Sequence, residues 1–426
     1  MADLRCNIAG VDSLNPFWLA SAPPTDKYIN CRRAFEAGWG GVVWKTLGDN
    51  PPVVNVSSRY AAHHGPGREI YGINNNELIT DRSLEINLEE IRKLRSEFPD
   101  HVIIGSMMAP VEEDLWKNLA IRIAESGVQG IELNLGCPHG MCERGMGSAI
   151  GQVPEMVEQV TRWVKEVVSV PVFTKLTPNT TDITIPAEAA MRGGADAVSL
   201  INTVNSIVSV DLDQMAPRPT VGGRGTHGGY CGSAVKPIAL HMVAEIKRHP
   251  GTKDLKISGI GGITTWEDAA EFIALGADGL QVCTAAMLYG FKIVEDMIDG
   301  LSDFMDAKGY QSIEDFRGMA TPNVVDWNDL DMNYDVKARI NADSCIECGK
   351  CHIVCEDTSH QAIAMNVDAD SGKRSFAVID DECVGCNLCQ IVCPVPECIT
   401  MEKVENGLPY LNWPNHPSNI AKEAAE

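Results

Sequence analysis

Eight strand-like apolar runs alternate with helical patterns along most of the chain, and this alternation limits the possible fold more than any other feature. Each run is followed by a helical stretch such as 155–168, whose apolar positions recur at helical spacing. Strands joined through helices lie parallel, and eight such units predict an α/β fold, a (β/α)8 TIM barrel. A doubly wound open sheet would use the same units. The eight runs span residues 17–21, 42–46, 102–108, 130–135, 172–176, 197–202, 256–259 and 279–284.

Eight of the fifteen cysteines form two copies of one run near the C-terminus. Three thiolates at two-residue gaps can bind one [4Fe–4S] cluster, and in two-cluster ferredoxins the fourth cysteine of each run ligates the other cluster. A zinc site, the alternative, needs two pairs of cysteines without a third close one, and structural disulfides fit the spacing less well. Two [4Fe–4S] clusters are therefore expected, one on Cys345, Cys348, Cys351 and Cys393 and one on Cys383, Cys386, Cys389 and Cys355.

These two patterns divide the chain into regions. The barrel is expected over residues 1–308, with a short N-terminal hairpin at its start and a last helix over 291–305. A connector rich in Asp and Asn over 309–340 leads to a small α+β, two-[4Fe–4S] ferredoxin-like domain over 341–408. Residues 409–426 are expected to form a loosely ordered or partner-wrapping tail.

Net charge and apolar patterning exclude several classes of protein. The formal net charge of −23 argues against nucleic-acid binding, which depends on Lys and Arg neutralising phosphates. No stretch approaches the roughly 18 apolar residues of a membrane span, and the first residues lack the apolar core of a signal peptide. The cysteines outside the two runs have no disulfide-framework spacing. Free thiols and oxygen-sensitive clusters indicate the reducing cytoplasm.

Polar residues and glycines follow the predicted barrel strands. The longest interruptions, 47–81, 136–153 and 203–235, follow strands two, four and six, so they lie at the C-terminal mouth, where barrel enzymes keep their active sites. Lysines and asparagines there suit an anionic, hydrogen-bonding ligand, and glycines after strand seven let backbone N–H groups approach a phosphate. Because the barrel has no redox metal motif, the pattern favours FMN. The strand-end residues are Ser21, Lys45, Asn134, Lys175, Asn202, Thr203, Gly261, Gly262, Cys283 and Thr284.

The loop after strand four carries a candidate acid. Its sequence NLGCPHGMCERGMG over 134–147 is rich in glycine, which suits a moving lid. A thiol with an ordinary pKa near 8.5 is mostly protonated at neutral pH, so Cys137 is a candidate general acid. Cys142 and His139 compete for that role, and a buried, purely structural cysteine is the alternative.

The only dinucleotide-like fingerprint lies in the wrong context. Gly223, Gly225 and Gly228 have the required spacing, but the preceding segment 215–221 contains two prolines and is expected to be a loop. A nicotinamide site is therefore not expected there. Electrons from NAD(P)H would have to enter through the clusters from another polypeptide.

Six barrel segments together match a known family: LASA over 19–22, RRAFEAGWG over 32–40, NLGCPHGM over 134–141, KLTPN over 175–179, NTV over 202–204 and KPIAL over 236–240. They resemble dihydropyrimidine dehydrogenases. The resemblance extends over the FMN barrel and the ferredoxin-like domain, nearly the whole chain, and is to the separate catalytic subunit of the bacterial two-subunit form. Long single-chain members have an additional N-terminal half for FAD and NADPH, which has no counterpart in this sequence. A flavoprotein partner carrying FAD and the NAD(P)H site is thus implied, in a heterotetramer.

The same resemblance implies roles for individual residues. Cys137 would donate a proton to C5 of uracil or thymine, while reduced FMN delivers hydride to C6. One ring-binding asparagine falls within the run 74–76, which leaves its register open, and Gly136 stands where the long-chain members have serine. The pyrimidine would be held by Asn75, Asn134, Asn202 and Thr203. FMN would be held by Ser21, Lys45, Thr46, Lys175, Gly232, Gly261, Gly262, Cys283 and Thr284, with a lysine stabilising negative charge on the reduced flavin.

The expected function is reduction of the 5,6 double bond of uracil and thymine, a step of pyrimidine catabolism. The closest alternative is a dihydroorotate dehydrogenase, which shares the barrel, FMN and a cysteine acid/base but acts on a substrate with an extra carboxylate. A tRNA dihydrouridine synthase would need a basic face, which the net charge of −23 opposes. A non-catalytic iron–sulfur electron-transfer subunit would leave the polar strand ends without a role.

Overall fold

Eight parallel strands close into a barrel in the computed structural model, which describes residues 2–48 and 53–419. The strands follow one another around the barrel in chain order, and the eighth pairs with the first. This arrangement confirms the predicted TIM barrel and excludes the open doubly wound sheet. The strands are Phe17–Leu19, Gly41–Leu47, Val102–Met107, Gly130–Asn134, Val172–Lys175, Ala197–Leu200, Lys256–Ile260 and Gly279–Val282.

The core lies inside the barrel and between the barrel and its helices. All residues of Gly41–Leu47 are buried, as expected for a strand covered on both faces. Helix Pro154–Lys165 begins with a proline, which is tolerated in the first turn, and buries Val157, Val160 and Val164. The principal helices are Tyr28–Ala37, Leu84–Glu97, Glu113–Ala124, Pro154–Lys165, Thr184–Arg192, Lys236–Arg248, Trp266–Ala274, Thr284–Tyr289 and Ile293–Lys308.

Several predicted boundaries shift in the structure. The helix expected over 291–305 is Ile293–Lys308, and a separate short helix, Thr284–Tyr289, precedes it. The first and last barrel strands end at Leu19 and Val282, so Ser21 and Cys283 lie just beyond them. The expected N-terminal hairpin is present as Cys6–Ile8 paired with Val11–Ser13.

The long loops after strands two and six form a sheet that the sequence reasoning did not predict. It contains four antiparallel strands, and it joins the two loops because Asn75 is in register with Gly229 and Tyr230 with Val204. A further hairpin pairs Ser209–Asp211 with Ala216–Arg218. The sheet strands are Tyr60–His64, Ile70–Asn75, Val204–Ser206 and Gly228–Cys231.

The connector expected over 309–340 is divided between two compact units, Met1–Val324 and Val325–Glu426. Ile313 and Phe316 are buried in the core of the first unit. Strand Val336–Ile340 belongs to the second unit, where it pairs with Ile399–Lys403. Apolar residues within this otherwise polar segment therefore attach its two ends to different units.

The second unit is a small α+β domain. It contains two antiparallel strand pairs, Val336–Ile340 with Ile399–Lys403 and Ile363–Val367 with Arg374–Val378. The helices that carry cysteines of the two runs are Lys350–Glu356 and Leu388–Ile391. The described part of the expected tail, 409–419, is held by hydrogen bonds, since the Met332 amide donates to the Leu411 carbonyl at 2.7 Å and the Tyr410 hydroxyl donates to the Asp329 carbonyl at 2.8 Å. Residues 420–426 lie outside the described residues.

Within the described ranges, no helix has both the length and the apolar character needed to cross a membrane.

Candidate active site and cluster cavities

One cavity at the C-terminal mouth of the barrel brings together every barrel residue that the sequence analysis assigned to cofactor, substrate or acid. Its volume is about 1600 Å³, including space open to solvent. The residues expected to hold the cofactor line it: Ser21, Lys45, Thr46, Lys175, Gly232, Gly261, Gly262, Cys283 and Thr284. The residues expected to contact the ring line the same cavity: Asn75, Asn134, Cys137, Asn202 and Thr203.

Three glycines shape the wall of the cavity into a form that suits a flavin phosphate. Gly232, Gly261 and Gly262 all have positive φ angles, of 109°, 133° and 77°. A side chain at Gly262 would meet the Gly232 carbonyl oxygen at 2.9 Å, and one at Gly232 would meet Gly72 Cα at 2.8 Å. The backbone segments therefore approach one another closely at the cavity wall, where only glycine fits, and a glycine backbone of this kind is typical of phosphate-binding sites.

Two buried lysines carry positive charge into the cavity, and each lies near a carboxylate. Lys45 Nζ is 2.6 Å from Glu77 Oε1 and 3.6 Å from Asp26 Oδ2. Burial raises the pKa of Asp26, although the Lys45 ammonium opposes this. Lys175 Nζ is 3.6 Å from Glu132 Oε1 inside the barrel. Both lysines are thus oriented by acidic partners instead of projecting freely into solvent.

The asparagines and hydroxyls of the mouth form a connected network. Asn202 Nδ2 donates to Asn134 Oδ1 at 2.9 Å, and Asn134 Nδ2 donates to Thr46 Oγ1 at 2.9 Å. The Thr46 hydroxyl is also within hydrogen-bond distance of Ser21 Oγ, at 3.1 Å. Ser21 and Thr46 were assigned to the cofactor and the two asparagines to the ring, so the network joins the two groups of residues.

Only Asn75 of the asparagine run 74–76 lines the cavity. Its Nδ2 donates to the Gly229 carbonyl at 2.7 Å, which orients the side chain from the four-stranded sheet. Asn74 is completely buried and donates to Ser206 Oγ at 2.7 Å. Strand alternation accounts for the difference, because successive side chains point to opposite faces.

The Cys137 thiol is buried in the cavity wall and keeps its proton at neutral pH. Its Sγ lies 3.6 Å from the His139 carbonyl oxygen, to which it donates. Burial raises the pKa of Cys137 to about 11, although the backbone of His139 and the charge of Lys175 lower it. A protonated thiol at a cavity that also contains hydrogen-bonding amides can act as a general acid.

His139 holds the cysteine loop in place. Its Nε2 lies 2.9 Å from the Glu77 carbonyl oxygen, which can only accept, so Nε2 carries the proton. Burial lowers the pKa of His139, which keeps the ring neutral. Cys142 Sγ donates to the Pro138 carbonyl at 3.0 Å, and it does not line the cavity as Cys137 does. These contacts favour Cys137 over the two competing candidates.

Gly136 is tightly confined beside a predicted ring-binding residue. A Cβ atom at this position would lie 2.5 Å from Asn202 Cβ. Such a contact is too short to persist, so a serine here would require Asn202 to move. Asn202 therefore packs directly against Gly136, in the space that the side chain of the serine expected from the resemblance would need.

The sequence reasoning missed Glu77, Tyr60 and Tyr230, which also line the cavity. Glu77 follows strand Ile70–Asn75, and Tyr60 begins its neighbour in the four-stranded sheet. The β-branched and aromatic residues Ile70, Tyr71 and Ile73 were a signal for a strand there. Of the fingerprint glycines, Gly223 lies in a turn, Gly225 in an irregular segment and Gly228 at the start of strand Gly228–Cys231, so the fingerprint precedes a strand instead of following one.

In the second unit, the predicted cysteine quartets surround two separate cavities. One cavity of about 340 Å³ is otherwise largely apolar, as is the other, of about 320 Å³. Among the described residues, no group of three or more His, Cys, Asp or Glu side chains is arranged to hold a metal ion. The three closely spaced cysteines in each quartet fit an iron–sulfur cluster better than a zinc site. The first cavity is lined by Cys355, Cys383, Cys386 and Cys389, and the second by Cys345, Cys348, Cys351 and Cys393.

A fifth cysteine also lines the second cavity. Cys398 is buried, and its Sγ donates to the Asn341 carbonyl at 3.7 Å. It lies outside the repeated spacing, so the sequence pattern did not identify it. Cys398 Sγ is thus a hydrogen-bond donor, whereas Cys355 Sγ in the first cavity is an acceptor. The Ala362 amide donates to Cys355 Sγ at 3.3 Å, as expected for a thiolate ligand.

Comparison with known proteins agrees with this architecture. The family model of dihydroorotate dehydrogenase matches residues 3–305, and that of the 4Fe-4S dicluster domain matches residues 338–401. The chain is 45% identical over 362 residues to the NAD-dependent dihydropyrimidine dehydrogenase subunit PreA of Escherichia coli K12, which covers 85% of this chain and 87% of that protein.

Two further relatives are more distant. The chloroplastic dihydropyrimidine dehydrogenase (NADP(+)) of Arabidopsis thaliana is 41% identical over 325 residues, covering 74% of this chain and 76% of the relative. The catalytic subunit of dihydroorotate dehydrogenase B (NAD(+)) of Pyrococcus abyssi is 38% identical over 324 residues, which cover 74% of this chain and 99% of that relative. The chain therefore belongs to the dihydroorotate dehydrogenase family, as an oxidoreductase of its dihydropyrimidine dehydrogenase group with a 4Fe-4S dicluster domain.

Proposed function

We propose that this chain reduces the 5,6 double bond of uracil and thymine to the dihydropyrimidines. The observation that carries the proposal is the protonated Cys137 thiol in a cavity shared with Asn75, Asn134, Asn202 and Thr203. Amides and a hydroxyl match the alternating carbonyl and N–H groups at the edge of a pyrimidine ring. The names of the bacterial and plant relatives support the same substrate class.

FMN is the cofactor that these residues suit. Gly232, Gly261 and Gly262 would hold its phosphate, as would Thr284 at the start of the short helix after strand eight. Ser21, Thr46 and Cys283 would contact the flavin, with one of the lysines, Lys45 or Lys175, stabilising negative charge on the reduced ring. When bound and reduced, FMN supplies the hydride that adds to C6 of the pyrimidine.

Cys137 supplies the proton that completes the reduction. Its S–H bond breaks as a C–H bond forms at C5, while the electrons of the former double bond form this new bond. The resulting thiolate lies in the field of Lys175, whose charge lowers the pKa of Cys137. The asparagines orient the ring so that C5 faces the thiol, and the buried position of the thiol excludes competing water.

The second unit would hold two [4Fe–4S] clusters, which would supply electrons for the reduction. One would be bound by Cys345, Cys348, Cys351 and Cys393 and the other by Cys355, Cys383, Cys386 and Cys389. The source would be a flavoprotein subunit carrying FAD and the NAD(P)H site, in a cytoplasmic heterotetramer. The name of the Escherichia coli relative, a subunit of an NAD-dependent enzyme, supports a partner of this kind.

Anaerobic turnover tests the proposal. The purified chain, with reduced methyl viologen as electron donor, should convert uracil and thymine to their dihydro forms but should not oxidise NADH alone. Addition of the flavoprotein subunit should restore NAD(P)H-dependent turnover. Turnover of orotate without uracil would instead identify a dihydroorotate dehydrogenase, and a barrel purified without flavin would favour a non-catalytic electron carrier.

A further inference from the structure

The side chain of Glu77 is a buried carboxylate in the wall of the active-site cavity. Its exposed fraction is 8%, yet it contacts three donors. Oε1 accepts from Lys45 Nζ at 2.6 Å, and both oxygens accept from Arg59 Nη1 at 3.1 Å. Oε2 also accepts from the Tyr60 hydroxyl at 3.1 Å. Glu77 is thus held firmly beside the residues that would bind the pyrimidine.

This arrangement removes the positive charge that an anionic substrate would need. Lys45 is itself 5% exposed, with Glu77 at 2.6 Å and Asp26 at 3.6 Å. The other lysine of the cavity, Lys175, lies 3.6 Å from the buried Glu132. Arg59 is likewise paired, with Glu77 at 3.1 Å and Asp81 at 3.9 Å. A carboxylate on a ligand would therefore find these cations already near acidic groups, and it would meet the like charge of Glu77.

The charge matters because two substrate classes within the family differ by one carboxylate. Uracil and thymine are neutral, whereas orotate is uracil with a carboxylate at C6. Charged groups at short range inside a cavity interact strongly, since water screens them poorly. Like-charge placement is also an effective way to reject a competing ligand.

We propose that Glu77 determines substrate specificity by pairing with Lys45 and excluding pyrimidines that carry a carboxylate at C6. The inference rests on the proposed pyrimidine reduction and extends it from the reaction to the choice of substrate. Glu77 takes no part in bond formation in this account. It acts on the carboxylate of the rejected ligand and on the charge available from Lys45.

Glu77→Gln tests this role, because glutamine keeps the size and the acceptor oxygen but removes the charge. The variant holoenzyme should bind orotate at least about tenfold more tightly than the wild type, equivalent to about 1.4 kcal/mol. Its KM for uracil should change less than about threefold, because a neutral ring has no charge to meet. Binding is measured from the change in the flavin absorption spectrum and turnover with reduced methyl viologen.

Three controls separate charge from shape. Glu69→Gln removes a carboxylate from the same cavity, but an exposed one without a contact to Lys45, and should leave orotate binding unchanged. The neutral methyl ester of orotate should bind equally to wild type and Glu77→Gln. Adding Lys45→Met to Glu77→Gln should abolish the gain in orotate binding.

The outcomes distinguish this inference from the proposed function. If the wild type reduces uracil and Glu77→Gln gains no affinity for orotate, the specificity role of Glu77 is wrong while the proposed function stands. An equal gain for orotate and its methyl ester would also overturn it. If Glu77→Gln does not fold, Glu77→Asp replaces it in the test, because its shorter carboxylate is drawn back from Lys45. This variant should show a smaller gain in orotate affinity, and the absence of any gain would contradict the inference. A wild type that does not reduce uracil would overturn the proposed function itself.

Discussion

Asn202 donates from Nδ2 to Oδ1 of Asn134 at 2.9 Å, which links the ends of barrel strands four and six. Asn134 in turn donates to Thr46 Oγ1 at 2.9 Å, at the end of strand two. Strands two, four and six are not neighbours in the barrel, so these side chains cross its mouth. The network therefore fixes the proposed ring-binding amides of Asn134 and Asn202 relative to each other.

Gly136→Ser should disturb this network. The new Cβ would lie 2.5 Å from Asn202 Cβ, so Asn202 must move and its hydrogen bond to Asn134 is lost. We expect a loss of about 1–3 kcal/mol in unfolding free energy and a raised KM for uracil. Gly136→Ala carries the same Cβ and should show the same effect, measured by urea unfolding and steady-state kinetics. Wild-type kinetics and stability in both variants would contradict the packing described for Gly136.

Glu132→Gln should destabilise the barrel. Glu132 is completely buried, accepts from Ser199 Oγ at 2.8 Å and lies near Lys175, so its loss leaves a buried ammonium without its counter-charge. Removing one partner of a buried pair costs about 3–5 kcal/mol. Urea unfolding followed through the buried tryptophans measures the loss. In the double variant Glu132→Gln/Lys175→Met the loss should be smaller, and an equal or larger loss would argue against their interaction.

Cys393 and Cys398 should respond differently to replacement by serine. Both line the second cluster cavity, but only Cys393 belongs to the repeated spacing. Cys393→Ser should lose about four of roughly eight iron atoms per chain, while Cys398→Ser should retain all of them. Iron analysis and electron paramagnetic resonance of the reduced protein measure this. Loss of a cluster in Cys398→Ser alone would reassign the fourth ligand.

The pH dependence of uracil reduction should reflect a thiol with a raised pKa. Because burial raises the pKa of Cys137 to about 11, its proton is present below that pH and is lost only as the pH rises through it. The Cys137-dependent part of kcat/KM should therefore remain level between about pH 7 and pH 10. A decline centred near pH 8.5, where an ordinary thiol ionises, would show that burial does not protect the proton.

The barrel could be predicted because its eight strands are continuous apolar runs buried on both faces. The strand-end residues could be predicted as a group because the ends of parallel strands meet at one mouth, whatever the details of their packing. The pair of Lys45 with Glu77 could not, since Glu77 reaches the cavity only through pairing between two distant loops. Cys398 was missed for a similar reason, because folding brings it to the cavity from outside the repeated spacing.

Replacement of Cys137 by alanine tests the central claim most directly. Cys137→Ala should retain as much flavin and iron as the wild type, yet lose uracil reduction by about 10²–10⁴-fold, the usual contribution of a general acid. Cys142→Ala, which removes a nearby thiol outside the cavity lining, should keep near-normal turnover. Normal uracil reduction by Cys137→Ala, with flavin and clusters in place, would contradict the account.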